Sequence, residues 1–281
     1  MQFASFFNGD AIFYGAVEGD TLHLAPQALS AAHPDLSSII AGDRLTTLWE
    51  AARRDGEKRG LADVTLAPVI PRPGKIICVG LNYRAHGDEK GRPDYPALFV
   101  RFPESQVGHG GKLLMSAESS QFDFEGELAL VVGRAGHGIA EQDALAHVAG
   151  YACYNDSTMR DWQRHSTQYT AGKNFPSTGA FGPYLVAAGS VGDPGDLAIA
   201  TRVDGVTMQS ARTSDMLFSV PEIIAYVSRF TPLAPGDVIV TGTPAGAGAG
   251  RKPPVYLQPG NVVEVEIERV GLLRNVVAAP R

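Results

Sequence analysis

Basic surface, sulfur and long apolar runs are all scarce in this sequence. Its 281 residues carry 24 Lys and Arg against 30 Asp and Glu, a net charge of −6, and no Lys/Arg-rich run occurs. Phosphate binding needs a basic face, so nucleic acid is not an expected partner. Cysteine occurs twice, Cys78 in KIICVG and Cys153 in GYACYND. Both contexts are apolar and strand-like, the setting of a small buried thiol. No stretch approaches the ~20 consecutive apolar residues of a membrane-spanning helix. The start, MQFASFFNGD, lacks the basic residues and long apolar run of a signal peptide. The expectation is a cytoplasmic protein without a membrane partner.

What is present is an ordinary core-forming composition, 44% hydrophobic and 19% charged, enough for one large domain or two unequal ones. The first ~65 residues alternate short apolar runs with Gly-Asp turns (FFNGDAIFYGAVEGDTLHLA), which predicts a small antiparallel sheet. Helix-compatible DLSSIIAG and RLTTLWEAARR follow it. Pro68, Pro71 and Pro73 then crowd LAPVIPRPGK; each removes a backbone donor and fixes φ, so this segment reads as a linker. The boundary falls near residue 72, giving a small N-terminal α+β domain (1–72) and a larger domain (73–281). Beyond it, KIICVGLN, ELALVVG, HVAGYACYN, GPYLVAA, LAIATRVDG, DVIVTGTP and NVVEVEIERVGLLRN read as strands bounded by turn residues. Helices are fewer: EQDALAHV, SVPEIIAYVSRF and a short one around TMRDWQRH. The fold class is therefore β-rich, mixed α+β, without internal repeats.

One strand carries an anomaly. In FDFEGELALVVG, Glu125 and Glu127 interrupt an apolar run, and residues two apart on a strand share a face. Two neighbouring carboxylates in a poorly hydrated place raise each other's pKa unless a cation compensates. A solvent-facing strand end paired to Lys or Arg is one solution, and a metal is another. A second strand-like run, HVAGYACYNDST, ends on Asp156. Three acidic oxygen donors without a His or Cys pair suit a hard cation, Mg²⁺ or Mn²⁺, with Ca²⁺ also compatible.

ICVGLNYRAH, FDFEGELALVVG, YNDSTMRDWQ, GKNFPSTGAFGPYLV and VIVTGTPAGAG stand in this order over roughly residues 75 to 275. The set resembles the fumarylacetoacetate hydrolase superfamily. The resemblance implies a β-roll C-terminal domain, a homodimer or larger oligomer, and Glu125, Glu127 and Asp156 as metal ligands. The animal enzyme that names the superfamily has a further upstream aspartate ligand with no clear match here. The chain therefore looks like the shorter bacterial acylpyruvase and 2-hydroxyhepta-2,4-diene-1,7-dioate isomerase branch.

Most of the remaining candidates have two readings. His86 and Glu89, three apart in NYRAHGDEKGRPDYP, would share one face of a helical turn, where the carboxylate raises the imidazole's basicity. A surface turn is the alternative; the resemblance implies a water-activating dyad on a lid segment. Lys173 in TAGKNFPST could be a solvated lysine, and by resemblance is an anion or oxyanion ligand. Arg101 falls where many family members carry a lysine, and its fork suits a carboxylate. Arg160 and Gln163 match an RDxQ motif near the substrate in relatives, and could equally be helix surface. The turn at Thr241-Gly242-Thr243-Pro244 offers amides for a carboxylate, with Thr243 as the substrate-side residue. It is no nucleotide loop, since no Gly-Lys-Ser/Thr follows.

Together these imply a Mg²⁺/Mn²⁺-dependent hydrolase that cleaves a C–C bond in an acylpyruvate-like β-diketo acid, giving a 2-oxo acid and a carboxylic acid. The alternative reading is a decarboxylase, tautomerase or isomerase acting on oxaloacetate or hydroxymuconate-type 2-oxo acids. A remote one is a Ca²⁺-stabilised β-domain that only binds a ligand.

Overall fold

The computed structural model describes residues 1–84 and 91–279. Two sheets and one core between them dominate it. The large sheet has twelve strands, with Gly126–Val132 flanked by Val148–Asp156 on one side and Val238–Val240 on the other. The second sheet has five, including Ala198–Val203, Val206–Arg212, Val262–Ile267 and Gly271–Ala278. Leu128, Leu130 and Val132 point from the large sheet into the core shared with Ile199, Val263, Val265 and Leu273 of the second. Ala129 and Val131 point the opposite way, into a second core closed by Leu36, Ile39 and Leu48 of the helices Leu36–Ala41 and Leu45–Asp55. The strand is thus buried on both faces, which explains why LALVV reads as unbroken apolar sequence.

The runs read as strands form strands, NVVEVEIERVGLLRN as two (Val262–Ile267 and Gly271–Ala278), while Ala97–Arg101 and Val206–Arg212 were not foreseen; two of the helices start at side-chain caps. Asp35 accepts a hydrogen bond from the Ser38 amide at 2.7 Å to start Leu36–Ala41. Ser219 and Glu222 form a capping box for Val220–Phe230, which buries Val220, Ile223, Ile224 and Val227 at helical spacing. EQDALAH is a 3₁₀ segment, Glu141–His147; Ala140 before it gives no side-chain cap. Cys78 and Cys153 are both buried and free.

The sheet and the second core run across residue 72. Gln2–Asn8 pairs antiparallel with Gly179–Ala187, Gln2 opposite Val186, so the N-terminal strands extend the large sheet. No helix among the described residues is long and apolar enough to cross a membrane.

Gly126, between the two glutamates, packs directly against the second sheet. A Cβ there would lie 2.0 Å from Thr201 Oγ1 and 3.2 Å from Val265 Cγ1. Gly126→Ala is therefore expected to destabilise the fold by about 1–3 kcal/mol through overpacking, read as a lowered urea midpoint. Adding Thr201→Ala should recover most of the loss, and an unchanged midpoint in the single variant would show that the contact is slack.

Candidate metal centre and cleft

The register of the central strands builds the site. Gly126 pairs with Asn155 and Glu127 with Tyr154, which brings Asp156 alongside Glu125. The backbone is locked there: the Asp156 amide donates to Glu125 O at 2.8 Å and the Glu125 amide to Asn155 Oδ1 at 3.0 Å. Glu125, Glu127 and Asp156 are all buried, and one carboxylate oxygen from each lies within 4.8 Å of the others. They form the floor of a cleft of 630 Å³, whose lining also includes Arg160, Gln163, Lys173 and Thr243.

Three cations meet this buried charge. The Lys173 ammonium bonds Glu125 and, at 2.5 Å, Asp156 Oδ2; it lies 4.9 Å from the Phe99 ring centroid. Arg160 spans Glu125 Oε1 (2.6 Å), Asp123 Oδ2 (2.8 Å) and Gln163 Oε1 (3.0 Å). Arg101 does not line the cleft. It is buried behind the floor, bonded to Asp156 Oδ1 at 2.5 Å, Thr178 Oγ1 at 2.7 Å and Ser105 Oγ at 3.2 Å, where it supports Asp156.

The glutamates respond in opposite directions. Burial would raise the pKa of Glu125, but Arg160 and Lys173 overcome it and hold the carboxyl at about 2. Glu127 has the Gly242 amide as its close donor, at 2.5 Å. Burial, then the charges of Asp156 and Glu125, push it well above the usual carboxylate range. A cation would remove that repulsion, and three carboxylate oxygens make a hard-cation donor set. The residues present therefore fit a divalent ion, with Glu125, Glu127 and Asp156 as its holders.

The Thr241–Pro244 turn differs from expectation. The Thr241 amide donates to Leu128 O at 3.0 Å and the Gly242 amide to Glu127, so these amides brace the strand and its glutamate. Thr243 lines the cleft, but its hydroxyl donates to Gly126 O at 2.9 Å. His86 and Glu89 lie outside the described residues. Sequence reasoning missed Asp123, which is buried and accepts from Arg160 and from the Gly248 and Ala249 amides. Its signal was available, since Asp123, Glu125 and Glu127 repeat at the period of a strand.

Residues 75–278 match the family described as fumarylacetoacetate (FAA) hydrolase C-terminal. Among curated proteins, the chain is 43% identical over 220 residues to the mitochondrial oxaloacetate tautomerase FAHD2A of Bos taurus, covering 77% of this chain and 70% of that protein. It is 39% identical over 257 residues to the oxaloacetate tautomerase YisK of Bacillus subtilis (strain 168), covering 86% and 85%. Among solved structures, a maleylpyruvate hydrolase from Sphingobium sp. SYK-6, in complex with manganese(II) and pyruvate, superposes with a TM-score of 0.84 at 28% identity, over all of both chains. With a family match over most of its length and relatives of this closeness, the chain belongs to the fumarylacetoacetate hydrolase family.

Proposed function

We propose that this protein catalyses keto–enol tautomerisation of a small 2-oxo dicarboxylic acid of the oxaloacetate kind, with Mg²⁺ or Mn²⁺ held by Glu125, Glu127 and Asp156. The observation that carries the reading is the 39% identity to an oxaloacetate tautomerase over 86% of the chain. The buried oxygen triad supports the ion, as does the manganese and pyruvate in the maleylpyruvate hydrolase. The C–C hydrolase expected from sequence has solved structures named as hydrolases behind it at 28% and 34% identity, below the 39% and 43% of the tautomerases.

Tautomerisation moves one proton from C3 and delivers one to the C2 oxygen, and it consumes no water. The ion, when bound, supplies a Lewis acid for the 2-oxo acid end. Lys173, fixed by two carboxylates and the Phe99 ring, adds positive charge where the enol oxygen develops. Gln163, held through its Oε1 by Arg160, keeps its amide N–H groups for a substrate carboxylate. Among the described residues, four carboxylates (Asp123, Glu125, Glu127, Asp156) against three cations leave the cluster one negative charge when all are ionised; a divalent ion would turn it to one positive, which favours an anionic substrate. On sequence grounds His86, oriented by Glu89, is the proposed base at C3.

The test is decay of the oxaloacetate enol absorbance with Mg²⁺- or Mn²⁺-loaded protein, with products followed in parallel. The expected result is faster ketonisation with oxaloacetate recovered intact. Release of pyruvate and CO₂ would favour a decarboxylase. Efficient cleavage of 2,4-dioxo acids, with ¹⁸O from water in the released carboxylic acid, would restore the hydrolase.

Two variants probe the floor. Lys173→Met should lower kcat on the order of 10²–10³-fold, the scale of losing one charge-stabilising donor, while calorimetric Mn²⁺ affinity stays level or rises because a competing cation is gone. Weaker Mn²⁺ binding would show that the lysine supports coordination. Glu127→Gln should weaken Mn²⁺ binding and turnover together yet leave a folded protein, since the repulsion it relieves offsets the lost ligand. Unchanged titration would remove Glu127 from the ligand set.

A further inference from the structure

The two glutamates are separated by a glycine, so a side chain elsewhere must fix the strand's path between them. Gln209 meets that requirement from the second sheet. It lies on Val206–Arg212, 83 residues along the chain from Gly126, and is buried. Its Oε1 accepts from the Gly126 amide at 3.0 Å. Its Nε2 donates to Thr243 Oγ1 at 2.8 Å and to Pro244 O at 2.7 Å. Thr243 Oγ1 in turn donates to Gly126 O at 2.9 Å, closing a ring of hydrogen bonds around the peptide between Glu125 and Glu127. The same turn supplies the Gly242 amide that holds Glu127 Oε2. One amide side chain therefore ties the backbone of both glutamates to the segment that orients one of them.

We propose that Gln209 is a positioning residue for the divalent-cation site, setting the separation and aim of the Glu125 and Glu127 carboxylates. The inference rests on the metal reading above. It differs from general core packing, because all of its bonds converge on the ligand-bearing peptide and its bracing turn. Side chains that orient metal ligands without touching the ion contribute ~10–100-fold to affinity, and a polar residue held on both of its functional atoms is suited to that task.

Mn²⁺ titration of the full-length protein by calorimetry, well below the thermal midpoint, provides the test. Gln209→Met, of similar length but without either function, should raise the Mn²⁺ Kd ~10–100-fold. Gln209→Glu keeps the acceptor for Gly126 and loses the donor to the turn, so a smaller loss is expected. Thr201→Val supplies the packing control: Thr201 contacts the same glycine from the same sheet, and its buried hydroxyl has no hydrogen-bond partner among the described residues. It should leave Kd unchanged whatever it does to the melting temperature. If Gln209→Met is insoluble, Gln209→Glu decides. A Kd within twofold of wild type in the deciding variant, even with a lowered melting temperature, would overturn the proposal and leave the metal site standing. Failure of the wild-type protein to bind Mn²⁺ would instead overturn the metal reading, and the proposal with it.

Discussion

Negative charge buried at the end of a doubly packed strand is the constraint around which this molecule is arranged. An ion taken out of water costs several kcal/mol unless partners replace its hydration. Glu125, Glu127 and Asp156 stand where the central strand and its neighbour leave the core, and Asp123 stands just before them. Lys173, Arg160 and Arg101 each reach this point from a different segment and make most of the compensating bonds. The cleft is what remains open above them. Its chemistry follows from that arrangement: a floor rich in fixed charge, with one carboxyl, that of Glu127, paired with no cation among the described residues.

Features governed by local spacing were legible in the sequence. The strand runs, the capped helices and the alternation that puts Glu125 and Glu127 on one face all follow from periodicity and turn residues. Asp156 was legible because a strand-like run ends on it. Partnerships made across the chain were not. Nothing near Arg101 announces that its guanidinium turns inward to Asp156, 55 residues away. Nothing in the first strand says that it will pair with Gly179–Ala187 and carry the sheet over the proline-rich segment. Gln209 sits in an edge strand of modest pattern, VTMQSAR, and its importance arises only once two sheets meet. Asp123 is the intermediate case, visible by period but hidden by its neighbours, which claimed the attention.

The tautomerase and hydrolase readings share this floor and part at the proton-transfer and water-activating groups. Glu125, Glu127, Asp156 and Lys173 would serve either reaction, since both develop charge on the same oxygen of a 2-oxo acid. On the proposed reading, the two reactions would share the floor and differ in the groups around it. Relatives of this chain carry the names of a tautomerase and a hydrolase, so membership of the family does not by itself select the reaction.

With a divalent ion at the proposed site, the internal ion pairs would separate folding from metal supply. A zinc finger cannot fold until its ion arrives, because nothing else neutralises its ligands. Here Arg160 and Lys173 answer Glu125, and Arg101 and Lys173 answer Asp156, within the chain itself. On the proposed metal reading, a newly made molecule would not depend on the ion to neutralise these two carboxylates, so a cell starved of divalent metal would accumulate folded, idle protein that a later influx switches on.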